Sequence, residues 1–198
     1  MDAVFSAVGA IPATLCREII SRFEVDTRKV ESHVFASTRE DIRGGVVVVM
    51  DGDEHWTRLR EDFYKSLEPH LSRAARRNPG LLAMLGEPYL FTIPRVERIS
   101  PEGGFRWHVD TIHQDARFLT VLCYLNDVLE GGQTEFLKQD MLVQPSEGAA
   151  LFFPPFWTHV HRGLPPVGQA KYTAAFFVAA ASGAEVVTAA PSLQAGPV

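Results

Sequence analysis

Past Leu85 the chain breaks into short runs rich in Val, Ile, Phe, Tyr and Thr, separated by Pro, Gly, Asn and Asp every eight to twelve residues. No other feature narrows the fold as far. Turn residues at that spacing leave no room for long helices and favour successive hairpins, the rhythm of an antiparallel barrel or sandwich. The pattern predicts strands near 89–99, 105–109, 117–125, 133–137, 141–144, 149–153, 158–162 and 171–180, and eight short strands suggest a jelly roll.

The preceding stretch has a helical texture. Leu15, Cys16, Ile19, Ile20 and Phe23 recur at three- and four-residue spacing, which predicts a first helix from Pro12 to Phe23 with one buried stripe. Gly44-Gly45 then introduces the β-branched run Val46 to Val49 and Met50, stopped by Asp51-Gly52-Asp53, as a buried strand ending in a turn would be. Trp56, Leu59, Phe63, Leu67 and Leu71 define a second helix that ends at Asn78-Pro79-Gly80. A chain of 198 residues supports one well-packed core. We therefore expect residues 1–85 to supply helices and a strand that pack on a barrel formed by 86–180, the two together making a single domain. Residues 181–198 are rich in Ala, Ser, Gly and Pro, lack aromatics, and are expected to form a flexible tail.

Composition excludes several classes of function. The 24 acidic residues outnumber the 19 basic ones, the net charge is −5, and no long basic run interrupts that balance, so neither nucleic-acid nor anionic-membrane binding through bulk charge is expected. Cys16 and Cys123 lie far apart and outside any CxxC pair, which argues against a disulfide framework or a cysteine zinc site and for reduced thiols. No apolar stretch reaches the ~18 residues of a membrane span. The opening segment carries Asp2 and Pro12, with no Lys or Arg before Arg17, and makes a poor signal peptide. A cytoplasmic protein is expected.

The chemistry concentrates in two histidine clusters. His108-Val109-Asp110 lies at the end of a predicted strand, where side chains two apart share a face, so an imidazole and a carboxylate converge. His159-Val160-His161 lies on another predicted strand, and strand alternation does not separate its two histidines. Two histidines and one carboxylate form the facial triad of non-haem Fe(II), with positions open for substrate and oxygen. A zinc- or manganese-dependent hydrolase or isomerase can use the same three ligands.

Four segments occur in order around these clusters: Phe105 to Asp110, Arg117 to Asp127, Glu130-Gly131-Gly132-Gln133-Thr134-Glu135-Phe136, and Gly148 to Phe153 leading to His161-Arg162-Gly163-Leu164-Pro165. Lys171 stands ten residues beyond His161. Over roughly residues 95 to 179 the chain resembles the Fe(II)- and 2-oxoglutarate-dependent dioxygenases, in particular the prolyl 4-hydroxylase-like branch. That resemblance implies an α+β, mainly β fold: a double-stranded β-helix, or jelly roll, with N-terminal supporting helices. It prefers His161, which sits in the His-x-Gly-x-Pro pattern, over His159 and so implies Fe(II) held by His108, Asp110 and His161. It also implies 2-oxoglutarate as cosubstrate, with Lys171 on its distal carboxylate, Tyr124 donating to a carboxylate, and Thr134 facing the same pocket.

Further expectations follow from the resemblance. Ile99 stands where many relatives carry a cosubstrate-contacting tyrosine, and it cannot donate a hydrogen bond. Asp110 fills the coordination position that halogenating relatives leave open, which favours hydroxylation. The implied reaction hydroxylates an unactivated C–H bond of a prolyl peptide, free amino acid or related small molecule. Molecular oxygen is consumed, succinate and CO2 are released, and ascorbate serves as reductant. Arg106, Trp107, His113, Trp157 and His159 lie near the motifs as places for substrate contact. A non-catalytic binding module on the same barrel would be signalled by loss of a ligand or of Lys171, and none is missing.

Overall fold

The structure is a computed structural model and describes residues 4–32, 42–111 and 116–181. The N-terminal part comprises β1 (Phe5–Ala7), α1 (Ala13–Val25), β2 (Val30–Glu31), β3 (Ile42–Val49), α2 (Glu54–Arg77) and α3 (Pro79–Leu85). There follow β4 (Tyr89–Phe91), β5 (Arg95–His108), β6 (Arg117–Tyr124), β7 (Thr134–Phe136), β8 (Met141–Val143) and β9 (Ala150–Phe153). A single 3₁₀ turn at Trp157–His159 precedes β10 (His161–Gly163) and β11 (Lys171–Ala180).

Both long helices follow the apolar spacing. Leu15, Cys16, Ile19 and Phe23 are buried in α1, and Trp56, Leu59, Phe63, Leu67 and Leu71 in α2. Asp53 caps α2 by accepting a 2.8 Å hydrogen bond from the Trp56 amide, satisfying one of the donors that a helix start leaves open. These stripes share one core with Val96 of β5, Val121 of β6, and Ala174, Phe176 and Val178 of β11. Each large side chain buried there contributes roughly 1.5–3 kcal/mol. The helices thus hold one face of the sheet still, and alternation sends Arg95, Glu97 and Ile99 of the same strand to the opposite face, where they line a cavity.

All the strand pairs are antiparallel, in the order β1-β9-β6-β11-β5-β10-β7-β8, with β3 joining at β5, β2 at β3 and β4 at β11. Strand β5 serves two layers. Arg95 to Ile99 pair with β11, while Phe105 and His108 pair with β10. The crossing wraps the sheet into the double-stranded β-helix, whose second cluster of buried residues, Tyr124, Phe136, Leu151 and Phe153 among them, closes the space between the layers.

The observed elements depart from the sequence expectation in four places. The run 89–99 divides into β4 and β5 near Pro94, while the expected break between 99 and 105 is absent, because β3 pairs with both Ile99 and Phe105 and carries the strand across. Pro101 is tolerated there because the β11 ladder ends at Ile99 and asks no amide of it. The strand expected at 158–162 starts only at His161, with Thr158 and His159 in the 3₁₀ turn, since Pro154 and Pro155 supply no amide donors and only His161 to Gly163 re-enter the ladder. Strands β1 and β2 and helix α3, too short to show a period, were not predicted, and α3 starts on the Asn78 cap with Pro79 in its first turn. The expected tail lies outside the described residues from 182 onward.

Candidate active site

The register of β10 against β5 sets His161 directly opposite His108. Their rings stand 4.3 Å apart, centroid to centroid. His108 Nδ1 lies 2.8 Å from the Arg106 carbonyl oxygen and His161 Nδ1 lies 2.9 Å from that of His159. A carbonyl only accepts, so both Nδ1 atoms carry the proton and both Nε2 atoms keep a free lone pair. Those Nε2 atoms lie 3.6 Å and 3.7 Å from Asp110 Oδ1. One ligand atom from each of the three residues falls within 4.8 Å of the others, the arrangement that one metal ion requires.

Asp110 is held from two sides. Its Oδ2 accepts from Thr120 Oγ1 at 2.7 Å, which leaves Oδ1 for the histidines, and its amide donates to the Pro155 carbonyl at 3.1 Å. The rings of Phe136 and Phe153 flank His161 at 5.5 and 4.9 Å. Burial pushes the His161 pKa down while the Asp110 carboxylate pulls it up, and the neutral ring is the form that binds metal.

Lys171, at the start of β11, lies in the same cavity, which measures about 150 Å³. It is 5% exposed and donates to the Gly132 carbonyl at 2.7 Å. Burial pushes its pKa down to about 8, against the opposing pull of Glu97. The Gly131-Gly132 turn that presents this carbonyl needs glycine at both positions, with φ of 70° and 71°. A Cβ on Gly131 would come within 2.2 Å of the Pro165 oxygen. Tyr124 is fully buried and donates to Thr134 Oγ1 at 2.7 Å, so Thr134 forms the cavity wall and Tyr124 stands behind it. Ile99 also lines the cavity, directly across the ladder from Lys171.

Of the residues singled out for substrate contact, Arg106, Trp107, Trp157 and His159 are not among those lining this cavity. Trp107 is 38% exposed, and the Arg162 guanidinium covers its ring at 4.4 Å; Arg106 is exposed beside it. Trp157 is 69% exposed with Lys138 over its ring. His159 is buried with Thr158 Oγ1 at 2.9 Å from its Nδ1, and it serves the site through the carbonyl that orients His161. His113 lies outside the described residues. The cavity also includes Arg95 and Glu97, which belong to none of the four segments, and Thr120 and Arg117, which lie in one of them but were assigned no role. Alternation along β5 and β6 was the available signal for the first three, but it required knowing which face is inward.

Residues 94–179 match the family model described as the 2OG-Fe(II) oxygenase superfamily. A search of curated proteins returned no relative. Among solved structures the chain is similar to the viral collagen prolyl hydroxylase of Paramecium bursaria Chlorella virus-1, in a 2OG complex, at 18% identity and a TM-score of 0.67, over 90% of this chain and 97% of that one. It is similar to a Pseudomonas putida prolyl-4-hydroxylase at 19% identity and 0.64, over 91% and 94%. A Trichoplax adhaerens prolyl hydroxylase, in complex with a hypoxia inducible factor peptide fragment, matches at 18% identity and 0.70, over 90% and 84%. These likenesses agree on the double-stranded β-helix fold, and the match over residues 94–179 supports a 2-oxoglutarate-dependent dioxygenase of prolyl 4-hydroxylase-like architecture.

Proposed function

We propose that this chain hydroxylates an unactivated C–H bond of a prolyl peptide, free amino acid or related small molecule, with Fe(II) held by His108, Asp110 and His161. The donor set fits the metal: two imidazoles with Nε2 free and one carboxylate oxygen, all within 4.8 Å. When bound, iron and 2-oxoglutarate supply the oxidation, sending one oxygen atom of O2 to the substrate carbon and the other to succinate, with loss of CO2.

The side chains do the rest. Thr120 fixes the Asp110 carboxylate, and the carbonyls of Arg106 and His159 fix the two imidazoles. Lys171 is the buried cation for the distal carboxylate of 2-oxoglutarate, a charge that would be costly to enclose unpaired. By donating to Thr134 Oγ1, Tyr124 leaves the Thr134 proton free to point into the cavity, where Ile99 offers no donor. Phe136 and Phe153 keep water from the His161 side.

The observation that carries this reading is one cavity holding both the three-ligand cluster and a buried lysine, since a hydrolytic metal site has no need of the second. The test is anaerobic titration of Fe(II) and 2-oxoglutarate into metal-free protein, followed by oxygen and ascorbate. A weak visible charge-transfer band and slow succinate formation are expected. Iron-loaded, folded protein without the band would overturn the assignment and return the zinc-hydrolase or binding-module alternatives.

A further inference from the structure

Besides the metal cluster and Lys171, four charged side chains line the cavity: Arg162, which pairs with Glu135; Arg117, which donates to the Asp110 carbonyl; and Arg95 and Glu97. Arg95 and Glu97 stand two residues apart on β5, so their side chains leave the same face of the strand, and both line the cavity. Across the ladder they face Ala175 and Thr173, and the next inward pair is Ile99 with Lys171. Read from Lys171 along this seam, the charges run positive, negative, positive: Lys171, Glu97, Arg95. The walls opposite supply no second acid apart from Asp110, which is engaged by Thr120 and the histidines.

Glu97 is half-buried and lines the cavity. Burial raises its pKa, and the Ser32 hydroxyl and the charges of Arg95, His108 and Lys171 pull the other way. Among the described residues neither Glu97 nor Arg95 forms an ion pair within 4.0 Å. A desolvated carboxylate calls for a cation, and a cavity-facing guanidinium for an anion. Lys171 cannot serve Glu97 for long under the function proposed above, on which this inference rests, because the distal carboxylate of 2-oxoglutarate then takes its charge.

We propose that Glu97 and Arg95 form the subsite for the substrate's head group, Glu97 receiving the ammonium and Arg95 the carboxylate of a free α-amino acid. The charge order along the strand matches a zwitterion, which brings no net charge into the cavity. A residue inside a peptide has neither charge on its main chain, so the same pair selects against prolyl peptides. The competing role, in which Glu97 merely balances Lys171 before the cosubstrate arrives, makes a different prediction for 2-oxoglutarate.

The experiment is anaerobic calorimetry on protein loaded with Fe(II), titrated first with 2-oxoglutarate and then with each of the common L-amino acids. The N-acetyl and carboxamide forms of every amino acid that binds follow, together with N-acetyl-Gly-Pro-Gly-amide. At least one free amino acid should bind saturably, and masking either end should weaken it tenfold or more. Glu97→Gln should cost the free amino acid at least tenfold but leave its N-acetyl form and 2-oxoglutarate within threefold. Arg95→Gln should cost the free acid but spare its carboxamide, which gives a second route if the first variant fails to fold. The proposal is overturned if no free amino acid binds the 2-oxoglutarate complex, or if the capped tripeptide binds as well as any of them. It is also overturned if Glu97→Gln changes 2-oxoglutarate binding and leaves the amino acid untouched. Failure of 2-oxoglutarate to bind wild-type protein, read in the first titration, overturns the function on which the inference stands.

Discussion

Replacing Lys171 by Met tests the proposed cosubstrate anchor, because the structure predicts opposite consequences for stability and for binding. In the free protein the buried ammonium is costly: its pKa falls from 10.5 to about 8, which at 1.36 kcal/mol per unit amounts to about 3 kcal/mol. Methionine removes that cost and fills similar space, but it strands the Gly132 carbonyl, which now accepts at 2.7 Å, at about 1–3 kcal/mol. The two effects offset, so the melting temperature without 2-oxoglutarate should move by only a few degrees. Binding has no such compensation. Losing one partner of an enclosed ion pair costs about 3 kcal/mol or more, which is a rise of ~100- to 1,000-fold in the Kd of 2-oxoglutarate. Anaerobic titration of the Fe(II) protein, followed by the charge-transfer band, measures it. A Kd within about threefold of wild type would refute the reasoning and move the anchor elsewhere. The pH profile gives an independent reading. The free ammonium titrates at about 8, so the wild-type Kd should be flat below that value and rise about tenfold per pH unit above it. Lys171→Arg, charged throughout, should stay flat.

Three other outcomes test the surroundings of the site and the fold. Thr120→Val removes the 2.7 Å hydrogen bond on Asp110 Oδ2, and metal affinity should fall ~10- to 100-fold in a competition titration; an unchanged affinity would show that the carboxylate needs no such support. Gly131→Ala places a Cβ 2.2 Å from the Pro165 oxygen at a φ of 70°, and denaturant unfolding should show a loss of about 2 kcal/mol or more. A loss below about 0.5 kcal/mol would mean the turn relaxes freely. Asp26 is buried, pairs with Arg28 and accepts from Trp56 Nε1 at 2.7 Å, so its carboxyl is held well below the usual carboxylate range. Its folded pKa is depressed, so it stabilises the protein above its unfolded value of 3.8 and loses that contribution as pH falls further. Asp26→Asn should therefore be less stable at neutral pH and flatter in acid unfolding, and parallel acid curves for the two proteins would contradict this.

Much of the site was legible because its signals are local. His108-Val109-Asp110 is a strand-end triplet, and its two side chains converge through strand alternation alone. The helices were equally legible, since Trp56, Leu59, Phe63, Leu67 and Leu71 can share a buried stripe only at helical pitch. The residues that line the rest of the cavity were not. Trp107 and Trp157 are conspicuous in sequence, yet each is exposed beneath a cation, whereas Glu97 sits unremarked in Arg95-Val96-Glu97-Arg98 and faces the cavity.

The amino-acid sequence by itself determined the strand rhythm, the two helical stripes, and the placing of His108, Asp110, His161 and Lys171 in a recognisable order, because each depends on short local spacings or on a motif of contiguous residues. Tertiary structure alone decided which face of β5 is inward, that Thr120 holds Asp110, that Gly132 receives Lys171, and that Tyr124 acts behind Thr134. Each of these is a meeting of side chains or carbonyls brought together by strand pairing. A strand's own alternation defines two faces but does not say which is inside, and the choice is made by the helices that cover one face of the sheet and leave the other to the cavity.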